Sequence, residues 1–176
     1  MKLKALASLC SEAKTLALYD AADGSQWAGT DAALWKLPEN LGRLTTDALC
    51  AIFDISAEKA AKMHIRHEQL PGVLDTDDQS PNERELLYWL GRRLILDGED
   101  MLPTRAPDGE IFCLKTRWLK PGSDAEQPGL SLRHTSDDTP YIVHKDGLFV
   151  TGILYPRAPE PEQVTWLADV CRGITV

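Results

Sequence analysis

Two imidazoles and a carboxylate fall within five positions in His64-Ile65-Arg66-His67-Glu68, and these are donor types that bind transition metals. The order differs from His-Glu-x-x-His, where two ligands stand one helical turn apart with a general base between them. If Ile65 to Leu70 is a strand, three-residue spacing sends His64 and His67 to opposite faces. A small metal-dependent hydrolase using His64 and His67 is therefore the enzyme alternative, carried by residue type alone. His134 and His144 lie in other strand-like runs, where an imidazole is ordinarily an interstrand or surface group. Cys10, Cys50, Cys113 and Cys171 sit in unrelated segments without a Cys-x-x-Cys pair, which suits reduced, packed thiols. No serine stands in a Gly-x-Ser-x-Gly setting, and neither a Gly-x-x-x-x-Gly-Lys-[Ser/Thr] nor a Gly-x-Gly-x-x-Gly loop occurs. Trp27, Trp35, Trp89, Trp118 and Trp166 each fall among apolar residues, which favours core or a protein interface over stacking on bases or sugars. These residues predict no catalytic group, no cofactor and no metal: the expectation is a non-enzymatic protein.

With 176 residues, 43% hydrophobic and 26% charged, the chain reads as a single domain, 1–176, long enough to bury its own core. Apolar runs are far shorter than the roughly 20 residues that span a bilayer, so no membrane segment is predicted. The opening Met-Lys-Leu-Lys-Ala-Leu is basic then apolar, but Ser8, Cys10, Ser11 and Glu12 interrupt it before a signal-peptide core forms. The expected compartment is the cytoplasm. A net charge of −8 opposes nucleic-acid binding driven by overall charge. Half of that charge comes from residues 75–85, where five acids face one arginine, and this segment is predicted to be an exposed loop. Exposed flexible acids of this kind keep near-normal pKa values and make poor general acids.

The elements that must position these residues follow from periodicity. Lys2 to Ala13 places Leu3, Leu6, Leu9 and Cys10 on one helical face. Thr15 to Tyr19 alternates as a strand, Ala22 to Ser25 is turn chemistry, and Gln26 to Leu37 reads as one or two strands broken near Gly29. Thr45 or Thr46 caps a short helix, and Ser56 begins another over Ala57 to Met63. Ser80-Pro81-Asn82-Glu83 has the pattern of a helix start, with Gly91 as its stop and Leu86, Leu87, Trp89 and Leu90 turned to a sheet. Arg92 to Leu96, Glu99 to Arg105 and Glu110 to Lys115 form a meander. A helical turn at Arg117 to Lys120 is cut off by Pro121-Gly122. Three strands follow, Leu130 to His134, Tyr141 to Lys145 and Leu148 to Tyr155, the last two joined by Asp146-Gly147 as a type I′ turn. Val164, Leu167, Ala168 and Cys171 give Pro161 to Gly173 the apolar face of a docked terminal helix. The predicted class is α+β, a mostly antiparallel sheet with helices packed on one face. The expected core is Leu6, Leu9, Leu16, Leu18, Phe53, Leu87, Leu90, Ile111, Leu114, Ile142, Val150, Ile153 and Leu167.

Phe112 to Leu119, Leu130 to Arg133, Asp138-Thr139-Pro140-Tyr141-Ile142, Asp146-Gly147 and Ile153-Leu154-Tyr155-Pro156-Arg157 together resemble the closing half of a DNA polymerase sliding-clamp domain. The opening helix and hairpin, Lys2 to Leu37, are similar to the way such a domain begins. The resemblance implies that Ile153 and Tyr155 line a hydrophobic groove for partner peptides, with Pro156 beside them. It also implies that Lys2, Lys4, Lys14, Lys59 and Lys62 face duplex DNA. A ring needs several such domains, so one domain per chain implies a homo-oligomer. Tyr155 stands where the family has Met, and about 20 residues follow the point where clamps end. A looser likeness to small proteins of bacterial genomes and mobile elements implies no activity.

Overall fold

The computed structural model describes residues 1–88 and 94–172. Helix α1 (Leu3–Ala13) turns Leu6, Leu9 and Cys10 inward and ends where Lys14 adopts a left-handed conformation (φ 52°). The chain reverses there into β1 (Thr15–Asp20), β2 (Gln26–Gly29) and β3 (Ala33–Lys36). Thr45 Oγ1 accepts from Ala48 N to cap α2 (Thr46–Ile52), and Ser56 Oγ accepts from Lys59 N to cap α3 (Ala57–Ala60). Strand β4 (His64–Gln69) then runs parallel to β1 at the edge of the sheet. Sequence periodicity predicts the strand but not this parallel partner, which the α2–α3 crossover makes reachable.

The described residues 80–88 do not form the helix that their capping pattern predicts. The described part gives two short strands, β5 (Arg84–Glu85) and β6 (Leu87–Tyr88), while Trp89, Leu90 and Gly91 lie outside the described residues. Tertiary pairing overrides the local signal: Leu86 N donates to Leu130 O at 2.9 Å, and the Glu83 carboxylate is drawn to Arg133 and Lys145. The meander follows as β7 (Leu94–Leu96), β8 (Glu99–Arg105) and β9 (Ile111–Lys115). Asp97 and Gly98 (φ 51° and 77°) make the β7–β8 turn in the two positive-φ positions of type I′. A 3-10 segment, Thr116–Gly122, precedes β10 (Pro128–His134), β11 (Pro140–Asp146) and β12 (Phe149–Leu154). The β11–β12 turn differs from the predicted one. Asp146 pairs with Phe149, so the central residues are Gly147 (φ 59°) and Leu148, with one positive φ rather than two. Helix α4 (Pro161–Arg172) packs on β8 and β9 through Leu167; Gly173 lies outside the described residues.

Among the described residues the larger sheet has eight strands in the order β4-β1-β2-β3-β12-β11-β10-β5, antiparallel except for β1–β4. A helical segment followed by three antiparallel strands occurs twice, as α1–β1–β2–β3 and as 116–122 with β10–β11–β12. The two units meet where Leu34 pairs with Ile153 in β3–β12. The architecture is thus α+β, a large mostly antiparallel sheet with few helices. No described helix is long and apolar enough to cross a membrane.

Both faces of the large sheet carry buried apolar clusters. Leu16, Leu18, Trp35, Leu132 and Ile142 on one face join Leu6 and Leu9 of α1, Leu49 of α2, and Leu102 and Leu114 of the smaller sheet. The opposite face carries Ala17, Tyr19, Trp27, Leu34, Tyr141, Val143, Val150 and Ile153, covered by Leu70 and Leu74. Of the expected core, Leu87 is only half-buried and Leu90 lies outside the described residues; the others are buried. Segment 75–85 is not simply solvated. Asp77, Gln79, Pro81, Asn82 and Glu85 are exposed, but Asp75, Asp78 and Glu83 turn to the second sheet face.

Candidate functional site

Register decides the fate of the histidine cluster. In β4, His64 and Arg66 pair with Thr15 and Ala17 while His67 pairs with Leu18, so His64 and His67 leave the strand on opposite sides. His67 Nε2 lies 3.0 Å from Asp20 Oδ2, which also accepts from Arg43 Nη2 at 2.7 Å. Gln26 Nε2 donates to Asp20 Oδ1 at 2.8 Å, and this bond, with the charges of Arg43 and His67, holds the Asp20 carboxyl below the usual range despite its burial. Gln26 also bonds the backbone of Leu44 through both ends of its amide. His67 thus belongs to a tie between β1, β2, β4 and the 43–44 connector. Among the described residues no group of three or more His, Cys, Asp or Glu is placed to hold a metal ion.

The residue of that motif that reaches a recess is Arg66. It lies on the second sheet face, where Tyr19, Thr30, Asp31, Leu34, Pro71, Leu74 and Tyr155 join it around a volume of about 300 Å³. The Arg66 guanidinium donates to Tyr19 Oη at 2.6 and 3.1 Å, donates to Asp31 Oδ1 at 2.5 Å, and stands 5.6 Å from the Tyr19 ring centroid. Arg66 is therefore held against one wall by Tyr19 and Asp31, and its Nε also lies 3.5 Å from Glu68 Oε2. Burial pushes the Tyr155 phenol up, with the neighbouring Tyr19 and Tyr141 adding to the effect, so Tyr155 stays a neutral donor across the physiological range.

Of the three groove candidates, only Tyr155 lines this recess. Ile153 is fully buried in the apolar cluster against which Tyr155 packs, and Pro156, half-buried, is not part of the wall. Tyr19, Leu34, Leu74 and Arg66 complete the recess and are missed by sequence reasoning. The signal for Tyr19, Leu34 and Arg66 was present in the period-2 alternation of β1, β3 and β4, but which face that alternation serves depends on strand pairing, and Leu74, outside any strand, had no such signal.

The five lysines divide into two groups. Lys2 Nζ donates to Ser123 Oγ at 2.9 Å, and Lys2 and Lys4 are both exposed at the start of α1. Lys14 lies at the opposite end of that helix, roughly 15 Å away by helical rise, where its carbonyl accepts from His64 N at 2.8 Å. Lys59 and Lys62, shortly before His64 in sequence, are exposed, and Lys62 is engaged by Glu58 at 2.7 Å.

His144 is the buried imidazole. It lies under the sheet with its ring centroid 5.0 Å from that of Trp35, and its Nδ1 is 2.8 Å from Thr151 Oγ1. Burial lowers its pKa to about 4, so it is neutral at pH 7. Cys10 is likewise buried and inert: burial, with a smaller contribution from Cys50, pushes its thiol up to about 12. Compared with protein-family models, curated proteins and solved structures, the chain matches none.

Proposed function

We propose that the chain is a non-enzymatic binding module of sliding-clamp-like architecture that docks a partner protein segment at the Tyr155 recess. The observation that carries this reading is the composition and setting of the recess. Two tyrosines, two leucines and a proline form apolar walls, and an arginine already oriented by Tyr19 and Asp31 stands among them. Tyrosine and arginine in a concave, partly desolvated site are the residue types that dominate binding energy at protein interfaces.

Strand β4 supports the same reading, since it ends the strand order and offers its outer edge for pairing. An extended segment added along β4 passes the side of the sheet on which Arg66 and Tyr19 lie. The twice-repeated unit of a helical segment and three antiparallel strands, joined at β3–β12, supports the clamp-like part of the proposal. On this reading a homo-oligomer forms a ring, and Lys2, Lys4, Lys14, Lys59 and Lys62 meet DNA phosphates without reading sequence. Light scattering coupled to size-exclusion chromatography tests assembly: a closed oligomer supports the ring, and a monomer at all concentrations removes encirclement of DNA while leaving the recess as a peptide site.

A further inference from the structure

The tip of the β11–β12 hairpin displays two adjacent large apolar side chains, Leu148 at 65% exposure and Phe149 at 67%. The tip is anchored: Gly147 N donates to Gln127 O at 2.9 Å, and Gln127 N donates to Asp146 Oδ1 at 2.9 Å. Beside it runs a broad groove of about 770 Å³, whose lining among the described residues includes Glu85, Glu126 and Asp146 and no lysine or arginine. Among the described residues neither Glu85 nor Glu126 has an ion-pair partner, although most acids of the 75–85 segment that turn inward do. An exposed aromatic and leucine on a fixed turn are the apolar half of an interface, and three carboxylates set its polarity.

We infer that this groove is a docking surface for a basic peptide segment, one that places an apolar side chain against Leu148 and Phe149 and its flanking arginines or lysines against Glu85, Glu126 and Asp146. Charge complementarity selects this occupant. The same carboxylates repel nucleic acid and anionic lipid. The groove shares no lining residue with the Tyr155 recess, so the inference stands independently of that site.

The test titrates the nitrogen-15-labelled full chain with the synthetic peptide Arg-Leu-Arg-Phe-Arg and with its counterpart Glu-Leu-Glu-Phe-Glu. The basic peptide is expected to shift the amides of Gly129, Gly147, Leu148 and Phe149 saturably, and the acidic one to leave them unmoved. Affinity is expected to fall at least about tenfold in Phe149→Ser and in the double variant Glu85→Lys/Glu126→Lys. Raising salt from about 0.05 to 0.5 M is expected to weaken binding to the unaltered chain as the screening length shortens. Because Phe149, Glu85 and Glu126 are exposed, the spectra of both variants should otherwise superimpose on the parent. Shifts centred elsewhere, an equal response to the acidic peptide, no saturable shift, or binding of phosphatidylglycerol vesicles in its place would each overturn the inference.

Discussion

Arg133 and Glu83 form an inward-facing ion pair, Nη2 to Oε2 at 2.6 Å, with the Arg133 side chain only 2% exposed. Lys145 Nζ reaches the other Glu83 oxygen at 2.8 Å, so a single carboxylate serves two cations on the second sheet face. The Asp75 and Asp78 backbone and the Asp75 carboxylate complete the shell: Arg133 Nη1 donates to Asp75 O and lies 3.5 Å from Asp75 Oδ1, and Lys145 Nζ donates to Asp78 O. The acidic segment is therefore a strap fastened over the sheet, and its charge neutralises two buried cations. Glu83→Gln leaves those cations without their shared counter-ion and is expected to destabilise the fold by about 3 kcal/mol. Urea unfolding checks this, with Glu85→Gln, at an exposed position, as a control expected to shift the midpoint little.

The pH dependence has two stages. Burial depresses the His144 pKa to about 4 from 6.5, so the unfolded chain binds the proton first as pH falls. Stability from His144 is fully present above pH 6.5 and is lost progressively down to pH 4, amounting to at most about 3 kcal/mol. Burial raises the Glu83 pKa, but the hydrogen bonds and charges of Lys145 and Arg133 outweigh it and leave a net depression. Its contribution is present above the ordinary carboxylate pKa and fades below it. Thermal midpoints between pH 7.5 and 4 should fall, and His144→Gln should flatten the upper part of that curve. An unchanged slope between pH 6.5 and 5 in the variant would contradict the assignment to His144.

Gly122 and Gly152 hold Trp35 by close backbone approach. A Cβ at Gly122 would stand 2.5 Å from the Trp35 ring and 2.7 Å from His144, and one at Gly152 would stand 3.0 Å from Trp35. Trp35 is fully buried and cannot swing aside without disturbing the core. Gly122→Ala is expected to cost about 1–3 kcal/mol as overpacking, more than Gly152→Ala. Gly129→Ala, whose Cβ meets only Lys145 Cβ at 4.0 Å, is the control expected to be nearly neutral on steric grounds.

Much of the fold was legible because its signals are local. The helical spacing of Leu6, Leu9 and Cys10, the cap at Thr45 or Thr46, which the structure places on Thr45, and the Asp97-Gly98 turn each act within a few residues, and the structure carries all three. What was not legible depends on partners distant in sequence. Ser80 to Glu83 carries helix-start chemistry, yet Glu83 finds Arg133 fifty residues away and the following residues pair with Ser131 and Leu132. The parallel pairing of β4, which puts Arg66 rather than the histidines at the recess, is equally non-local. Tyr155 could be singled out within its strand, but Tyr19, Leu34 and Leu74, which share its recess, come from three other segments.

Sequence-independent DNA binding follows from the clamp-like reading and has its own check. Fluorescence anisotropy with a duplex at low and moderate salt should show binding that weakens steeply with salt and is reduced by Lys2→Glu/Lys4→Glu. Lys2 and Lys4 are exposed, so the fold should tolerate both changes. Absence of binding at low salt, or indifference to the double substitution, removes DNA from the α1 surface.

The most direct test of the proposed binding role is made at Tyr155. The nitrogen-15-labelled chain is titrated with short, uncharged extended peptides bearing a leucine or phenylalanine, and the amides of Tyr19, Leu34, Arg66, Leu74 and Tyr155 are followed. Saturable shifts confined to these residues and the β4 edge are expected, with affinity reduced at least about tenfold by Tyr155→Ala. A chain that gives no saturable shift at these positions, or whose Tyr155→Ala variant binds as well as the parent, would contradict a peptide-docking role for the recess.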